Sequence, residues 1–553
     1  MKKLLFSTLM IVLSVQLSDA QQTGSWGDQG NGMYKNPILE SNYPDNDVIR
    51  QGDTYYMMSS TNHFSPGMII LKSKDLVNWE FSNYIMKAPI TFDKAFDLIG
   101  NNEYNSRATW AGSFGFNGEY YFAYWCFNKR PKDTFKIVYS KAKTLEGPWT
   151  EPHEITWADG SSIDCTDPGV FWDIDTKKAW LGVGLKLKKA IKIYQMSWDG
   201  EKLLQNEDDG VLVTKDLEGE AVKLYKFENM YYLMNAHWRV HEKVNQRMTA
   251  IHRSTAMDGT WEGRLAMENG NGTNRCPSQG TMLKTDDGSW WFIHQMARGE
   301  SKERYNGRPQ MLEPVVWKDG WPKIGVDTDG DGIGEVIWEH KKPILGFPIT
   351  APATDDNFDK PELGLQWFWR YNPIPDRWSL IERPGFLRLK SCVPLPENEP
   401  NSIRKVHNVI GQRVMGRYKN IATAKLDVSG MANGQEAGLH VSSDKNNIIG
   451  IKKSISGKKQ LFFKCDSAAK SAITIIDGIE LKQSKLWLQT KIENGLATFN
   501  YSLDGHKFSQ FGTQVQLFFT GFTANEIGFY SINSKEKGYV DIDWFRYDYD
   551  GPK

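Results

Sequence analysis

Three acidic residues stand in turn-like contexts at well-separated places in the chain. Asp45 lies in NYPDNDV, Asp167 in CTDPGVF and Glu218 in LEGEAV, and a strand-like segment follows each of them. An isolated motif of this composition would indicate only a turn. Three carboxylates in one pocket would repel one another, which can hold one group protonated beside an ionised one. That combination can hydrolyse a glycosidic bond. A hard cation would use the same acidity but usually needs more oxygen ligands.

An internal repeat explains how residues so far apart could meet. A short aromatic segment recurs with roughly 50 to 65 residues between copies: GDTYYMMSS (52–60), NGEYYFAYW (117–125), TKKAWLGVG (176–184), ENMYYLMNA (228–236) and DGSWWFIHQ (287–295). This period is typical of the four-stranded blade of a β-propeller. We therefore predict an all-β fold in which residues 36–340 form a five-bladed β-propeller.

In such a propeller, the strand before each aromatic segment lines the central funnel, and the residues just ahead of it ring one mouth. These residues are Asp45, Trp110, Asp167, Glu218 and Gln279. Three of the five are acidic, so the sequence predicts a carboxylate-rich pocket at this mouth. Nearby acids offer alternatives to the three chosen ones: Asp47, Asp164 and Glu220.

The remaining parts of the chain have different patterns. Residues 341–356 contain repeated prolines, which indicates a linker. Residues 357–553 alternate short strand-like segments with turn signals, which predicts a β-sandwich. Residues 1–20 combine two lysines, an apolar run and small residues at a cleavage position, which is typical of a signal peptide. We therefore expect an exported protein, periplasmic or extracellular.

Composition narrows the class of ligand. Lys plus Arg and Asp plus Glu both total 67, so the formal net charge is zero. Nucleic-acid binding and adsorption to an anionic membrane both favour a basic surface, and we expect neither. The five cysteines show no CxxC spacing, so they are expected to be mostly buried small apolar residues.

The motifs together resemble glycoside hydrolase family 43, which contains inverting β-xylosidases and α-L-arabinofuranosidases. The resemblance rests on YPDNDVIRQGDTYYM, CTDPGVFWD and LEGEAVKLYKFENMYYL, in that order, and on a tail, LGLQWFWRYNP, that is similar to the concanavalin-like sandwich of xylosidase-type members. It implies that Asp45 is the general base, that Asp167 modulates the acid and that Glu218 is the general acid. The third motif departs from the family pattern, because Glu-Ala follows EG where Pro-His is usual.

The same resemblance suggests which residues contact the sugar. Arg308, in NGRPQ, matches an arginine that reaches the reacting sugar, and its alternative is a structural ion pair. The other candidates either line the pocket or serve packing: Trp110, Phe64, Gln279 and Phe522 of the sandwich. Gln279 replaces a histidine that is frequent in the family.

No cofactor is expected for the chemistry, and the open question is a structural calcium ion. Candidate ligands are His294, Asp356 and Asp543, and for His294 a hydrogen-bonded core position is the competing interpretation. DTDGDGIGE (327–335) begins like a calcium loop, but its twelfth position is Trp338 rather than glutamate. A solvated turn is therefore the simpler interpretation of that loop.

The sequence thus predicts an inverting exo-glycoside hydrolase that releases terminal xylose or arabinose. The expected substrates are xylan, arabinoxylan and other plant hemicellulose oligosaccharides, with no nucleic-acid partner and no membrane insertion. Two alternatives remain open from the sequence. One is a non-catalytic carbohydrate-binding propeller, and the other is an arabinan-degrading hydrolase of the same family.

Overall fold

A computed structural model describes most of the chain. The described residues are 24–88, 108–129, 134–185, 188–215, 219–241, 244–268, 274–394, 403–466, 473–520 and 522–553. The predicted signal peptide lies outside these ranges. Within them the regular structure is all β, apart from short 3-10 turns at Glu207–Asp209 and Pro375–Arg377. Among the same residues there is no helix with the length and apolar character needed to cross a membrane.

Five antiparallel sheets follow one another along the first part of the chain. The first contains β3 (Asp47–Gln51), β4 (Thr54–Ser59), β5 (Gly67–Ser73) and β6 (Glu80–Met86). The second contains β7 (Ala108–Phe116), β8 (Tyr121–Lys129), β9 (Thr134–Ala142) and β10 (His153–Glu154). The third contains β11 (Thr166–Asp173), β12 (Lys178–Leu185), β13 (Ala190–Met196) and β14 (Val211–Lys215).

The fourth sheet contains β15 (Glu220–Phe227), β16 (Met230–His241), β17 (Val244–Ser254) and β18 (Glu262–Glu268), and β23 (Gly334–Glu335) adds to its edge in parallel. The fifth contains β19 (Asn274–Lys284), β20 (Trp290–Arg298), β21 (Gln310–Lys318) and β22 (Trp321–Ile324). A small sheet joins both ends of this region through β1 (Gly27–Asp28), β2 (Met33–Lys35) and β24 (Glu339–Lys341).

The first strands of the five sheets form a closed ring. Strand β3 contacts β7, β7 contacts β11, β11 contacts β15, β15 contacts β19, and β19 returns to β3. Apolar side chains fill the space between neighbouring sheets, as where Met57 and Ile69 of the first sheet pack with Leu312 of the fifth. The repeated aromatic segments form the second strands, whose side chains serve this packing. All six residues of β4, for example, are buried.

The C-terminal part is a sandwich of two large sheets. One has the order β25 (Phe368–Trp369), β28 (Ile410–Arg413), β38 (Glu526–Ile532), β30 (Glu436–Ser442), β31 (Asn446–Lys453), β32 (Lys459–Asp466) and β33 (Ile473–Glu480). The other has the order β26 (Trp378–Ser379), β27 (Leu387–Lys390), β39 (Tyr539–Tyr549), β29 (Lys419–Asp427), β34 (Lys485–Glu493), β35 (Leu496–Ser502) and β36 (Ser509–Gln510), with β37 (Val515–Gln516) also paired to β35.

The sandwich is joined to the ring of sheets by backbone hydrogen bonds. Ser65 and Trp369 exchange two of them, at 2.9 and 2.7 Å, and the Phe519 amide donates to the Ser301 carbonyl at 2.9 Å. The Arg413 side chain also donates to the Asn42 carbonyl at 2.9 Å. These contacts fix the sandwich loop around residue 522 over one mouth of the ring.

Candidate active site

A pocket of about 270 Å³ lies where the inner strands of the ring begin. Its volume is near the lower end of the range for small-molecule sites. The lining comes from all five sheets and from the sandwich: Asp45, Asn62, Trp110, Ala111, Phe135, Thr166, Asp167, Glu220, Arg247, Gln279, Arg308 and Phe522. Asp45, Trp110, Asp167, Gln279, Arg308 and Phe522 therefore line one pocket, as the sequence suggested.

A local backbone feature turns the key side chains toward this pocket. Asp45, Asp167, Ala221 and Gln279 all have positive φ, between 52° and 61°. For the last three, the pairing of the inner strand with its neighbour shifts register at the same point. A β-bulge of this kind redirects side chains and is frequent beside functional sites. Three of these four residues, Asp45, Asp167 and Gln279, line the pocket, and the fourth, Ala221, directly follows Glu220, which also lines it.

Asp45 is nearly buried, and hydrogen bonds hold its carboxylate in place. Arg308 Nη1 donates to Asp45 Oδ1 at 3.0 Å, and Ser60 Oγ donates to Oδ2 at 2.5 Å. The backbone amide of Asp45 donates to Gln295 Oε1 at 2.8 Å. A charge-assisted bond from arginine favours a carboxylate that is ionised and fixed in direction.

Asp167 is the acid whose environment most strongly favours protonation. Its Oδ2 accepts hydrogen bonds from Gln279 Nε2 at 2.8 Å and from the Ala221 amide at 2.9 Å. Burial, followed by the negative charges of Glu220 and Asp45, raises the pKa of Asp167 to about 6, although the two hydrogen bonds oppose the shift. The pocket therefore contains at least one carboxyl whose pKa lies close to neutral pH, which suits acid–base chemistry.

The third acid of the pocket is Glu220. Its Oε2 lies 2.6 Å from Arg247 Nη2, and its side chain is about nine-tenths buried. The predicted acid, Glu218, lies outside the described residues. The strand register gives a local reason why Glu220 lies in the pocket. In three sheets the inner strand ends six residues after the residue with positive φ. These pairs are Asp45 and Gln51, Asp167 and Asp173, and Ala221 and Phe227. Counting back six residues from the end of β15 therefore leads to Ala221, which directly follows Glu220.

The other neighbouring acids have structural contacts. Asp164 Oδ1 accepts the Phe135 amide at 2.9 Å and so orders an aromatic wall of the pocket. Asp47 accepts the Phe114 amide at 2.6 Å and the Thr281 hydroxyl. Neither residue lines the pocket. Their role is to connect elements around it.

A buried lysine lies close to Asp47. Lys223 Nζ is 3.7 Å from Asp47 Oδ1 and donates to the Gly112 carbonyl, and both charged side chains are less than one-tenth exposed. Burial lowers the pKa of Lys223, whereas the charges of Asp47, Asp167 and Asp45 oppose that shift. This ammonium group thus offsets negative charge beneath the pocket.

Aromatic and donor groups complete the walls. Trp110 contacts Phe135 and Phe522, with ring centroids 5.5 Å apart in each case. Trp110 Nε1, Thr166 Oγ1 and Arg308 Nε are buried atoms without a hydrogen-bond partner in the described part of the chain. Buried polar atoms normally have partners, so these atoms fit a ligand rich in hydroxyl groups.

The position of Arg308 depends on its neighbour. Gly307 has φ of 114°, and a Cβ atom there would lie 2.4 Å from Asn42 Cβ. The same asparagine accepts the Arg308 amide through Oδ1 at 3.1 Å. Only glycine therefore allows this close approach, which aims the guanidinium at Asp45.

Phe64 requires a correction, because it does not line the pocket. It is 8% exposed and packs between His63 and Phe368 of the sandwich, with ring centroids 4.5 and 4.4 Å away. Five pocket residues were absent from the sequence prediction: Asn62, Ala111, Phe135, Thr166 and Arg247. Thr166 directly precedes Asp167 and could have been found from that motif, whereas Phe135 and Arg247 lie on the third strands of their sheets, without a local signal.

The suggested calcium ligands have protein partners instead. His294 is fully buried, with Nε2 3.3 Å from Glu313 Oε1 and Nδ1 2.9 Å from the Gln295 carbonyl. Asp356 Oδ2 accepts Trp367 Nε1 at 2.8 Å, and Asp543 Oδ2 lies 2.6 Å from Lys425 Nζ. Each of the three candidate ligands thus has contacts to other protein groups, and a calcium ion bound by them stays a prediction.

Comparison with known proteins identifies the relatives of the chain. Residues 34–322 match the family model "Glycosyl hydrolases family 43", and residues 355–548 match "Beta xylosidase C-terminal Concanavalin A-like domain". A Formosa agariphila protein named beta-xylosidase is 38% identical over 96% of this chain and 93% of its own length. A Bacteroides ovatus protein named non-reducing end alpha-L-arabinofuranosidase is 27% identical over 75% of this chain and 74% of its own.

A solved structure has the same fold. The xylan beta-1,4-xylosidase from Bacillus halodurans C-125 matches with a TM-score of 0.78 and 22% identity, over 93% of this chain and 99% of that one. The match spans both the ring of sheets and the sandwich. The carboxylate pocket, the two matched regions and the 38% identical relative lead to one conclusion: the chain belongs to glycosyl hydrolases family 43 and is a glycoside hydrolase.

Proposed function

We propose that this protein is an exported, inverting exo-hydrolase that removes a terminal pentose from xylan-type oligosaccharides. The observation that carries the proposal is the convergence of Asp45, Asp167 and Glu220 on one pocket. Xylose is the first candidate because the 38% identical relative is named a beta-xylosidase. Arabinose is the second because another relative is named an arabinofuranosidase.

In the proposed mechanism, Glu220 is the general acid and Asp45 the general base. The protonated Glu220 carboxyl gives its proton to the glycosidic oxygen as the bond from that oxygen to C1 breaks. Asp45 takes a proton from a water molecule that attacks C1 from the opposite face, which inverts the configuration. Acid–base assistance of this kind contributes about 10²- to 10⁴-fold per group.

Asp167 and Arg308 support the two reacting carboxyls. Burial and the negative charge of Glu220 raise the pKa of Asp167, so the two neighbouring carboxyls do not ionise together readily. Arg308 fixes the base and offers further donors to sugar hydroxyls. A non-catalytic binding protein would not need these carboxylates, so the site favours catalysis over binding alone.

The exo mode is supported by the shape of the pocket. Phe522 comes from the sandwich and packs against Trp110, which narrows the mouth on one side. A pocket of about 270 Å³ suits one terminal sugar ring rather than the middle of a long chain. The proposed architecture is a five-bladed propeller at residues 36–340, with one blade per sheet, followed by the sandwich at 357–553.

Export is proposed from the sequence of residues 1–20, with its lysines, apolar run and small residues before the cleavage position. Periplasm or medium is the expected location. In either location the enzyme would have access to hemicellulose oligosaccharides.

The proposal is tested with aryl pentosides and xylobiose. We expect hydrolysis of β-xylosides, slower hydrolysis of α-L-arabinofuranosides, and α-xylose as the first product seen by NMR. Asp45→Asn should reduce kcat by about 10³-fold or more, whereas the matched control Asp164→Asn should keep most activity. Formation of β-xylose first, or equal kcat for wild type and Asp45→Asn, would contradict the mechanism.

A further inference from the structure

A second acidic cluster lies on the loop between β22 and β23. The loop is closed by backbone hydrogen bonds between Val326 and Glu335, at 3.1 and 2.9 Å. It carries three aspartates at alternate positions: Asp327, Asp329 and Asp331. None of the carboxylates of this loop lines the active-site pocket, so the cluster needs its own explanation.

Two groups of three carboxylates overlap at this loop. Ligand oxygens of Asp327, Asp329 and Asp331 lie within 4.8 Å of one another, and the same holds for Glu268, Asp329 and Glu335. Asp329 belongs to both groups. Five acidic side chains thus surround one small volume at the edge of the fourth and fifth sheets.

The pairing of β18 with β23 brings a further carboxylate to this loop. The twelfth position of the loop is Trp338, where a calcium loop usually has a glutamate. Strand β23 pairs in parallel with β18, and Glu268 of β18 stands opposite Glu335. The neighbouring strand β18 therefore brings a glutamate carboxylate to this loop from outside the loop sequence.

An incompletely satisfied carboxylate points to a ligand. Glu335 is only 9% exposed, and its Oε2 accepts a hydrogen bond from the Thr328 hydroxyl. Its Oε1 is buried without a hydrogen-bond partner among the described residues. Such an atom is costly to leave unsatisfied, and the Glu335 side chain is one of the three in the group that contains Asp329 and Glu268.

A lysine beside this loop offsets little of the negative charge of Asp327. Lys323 Nζ lies 3.7 Å from Asp327 Oδ2, and its side chain is 38% exposed. A pair that is open to solvent is worth little. This lysine therefore does little to reduce the attraction of the cluster for a cation.

We propose that this cluster binds a divalent cation of the calcium class. Asp329, Glu335 and Glu268 form its centre, with Asp327 and Asp331 beside them. Calcium accepts six to eight oxygen ligands in flexible arrangements, and loop carbonyls or water can supply the remainder. The bound ion links the edge of the fourth sheet, which carries Glu220, to the loop that leaves the fifth sheet, and so stabilises the ring.

The test uses the full-length protein, freed of metal with EDTA and dialysed. Isothermal titration with CaCl₂ should show saturable binding, and added calcium should raise the Tm by several °C because only the folded state presents the site. MgCl₂ should bind more weakly, because magnesium demands a stricter octahedral geometry.

Matched variants assign the binding to this cluster. Asp329 is exposed, so Asp329→Asn should fold normally, lose the calcium heat and lose at least most of the calcium-dependent rise in Tm. Asp258→Asn removes the same charge from an exposed turn of the same sheet and should respond to calcium as wild type does. The proposal is overturned if wild type shows no calcium binding, or if Asp329→Asn binds calcium with unchanged affinity.

Discussion

Arg308 Nη1 lies 3.0 Å from Asp45 Oδ1, while Nη2 of the same side chain donates to the Phe522 carbonyl at 3.3 Å. One guanidinium therefore connects the proposed base of the ring with the loop of the sandwich. Two domains that are distant in sequence share one catalytic pocket through this contact. The sandwich thus contributes Phe522 to the pocket and a hydrogen-bond acceptor for Arg308.

Arg308→Lys keeps the positive charge but removes the planar fork of donors. We expect it to reduce kcat/KM on xylobiose by about 10- to 100-fold, because a single ammonium group cannot contact Asp45, Phe522 and the sugar together. Steady-state kinetics measure the loss, and circular dichroism checks the fold. Kinetics equal to those of wild type would show that the fork makes no contribution.

Asp167 links stability to pH. Its folded pKa of about 6 lies above its ordinary value of 3.8, so the folded protein holds this proton more tightly than the unfolded chain does. The resulting stabilisation is fully present below about pH 4 and is lost as pH rises through about 6. The full shift corresponds to about 3 kcal/mol.

Asp167→Asn should therefore gain stability over wild type as pH rises. Asparagine can still accept the Ala221 and Gln279 hydrogen bonds but carries no charge to bury. We expect a Tm higher than that of wild type by several °C at pH 7, a smaller difference at pH 4, and a large loss of activity. Thermal melts across this range provide the measurement. A Tm difference independent of pH would contradict the assigned proton.

Lys223 and Asp47 form a buried ion pair, and removing one partner should be costly. Lys223→Met leaves the Asp47 carboxylate buried without its cation, so we expect destabilisation of about 3–5 kcal/mol in chemical denaturation. Lys223→Met with Asp47→Asn should recover part of that loss.

The exposed pair between Lys458 and Glu480 provides the matched control for Lys223. Lys458→Met removes a lysine whose side chain is 69% exposed and should change stability by less than about 1 kcal/mol. Equal effects of the two lysine substitutions would argue against a role for burial.

Local sequence patterns predicted some features of the fold and the site, whereas other features depend on the topology. The aromatic repeat predicted the second strands of the five sheets. The turn motifs predicted that Asp45 and Asp167 line one pocket. Both predictions rest on patterns that are local in the sequence. The sequence motif pointed to Glu218, whereas the residue that lines the pocket is Glu220, and a register shift at the start of β15, which no sequence motif indicates, sets which residue turns inward. Phe64 was misplaced because its burial depends on Phe368, which is distant in sequence.

The central claim is the assignment of the acid to Glu220, and Glu220→Gln beside Glu218→Gln tests it most directly. The measurement is kcat/KM on xylobiose and on 2,4-dinitrophenyl β-xyloside, whose leaving group needs little protonation. We predict that Glu220→Gln loses about 10³-fold or more on xylobiose and far less on the aryl substrate, while Glu218→Gln stays close to wild type. A large, leaving-group-dependent loss in Glu218→Gln, with Glu220→Gln active on xylobiose, would contradict it.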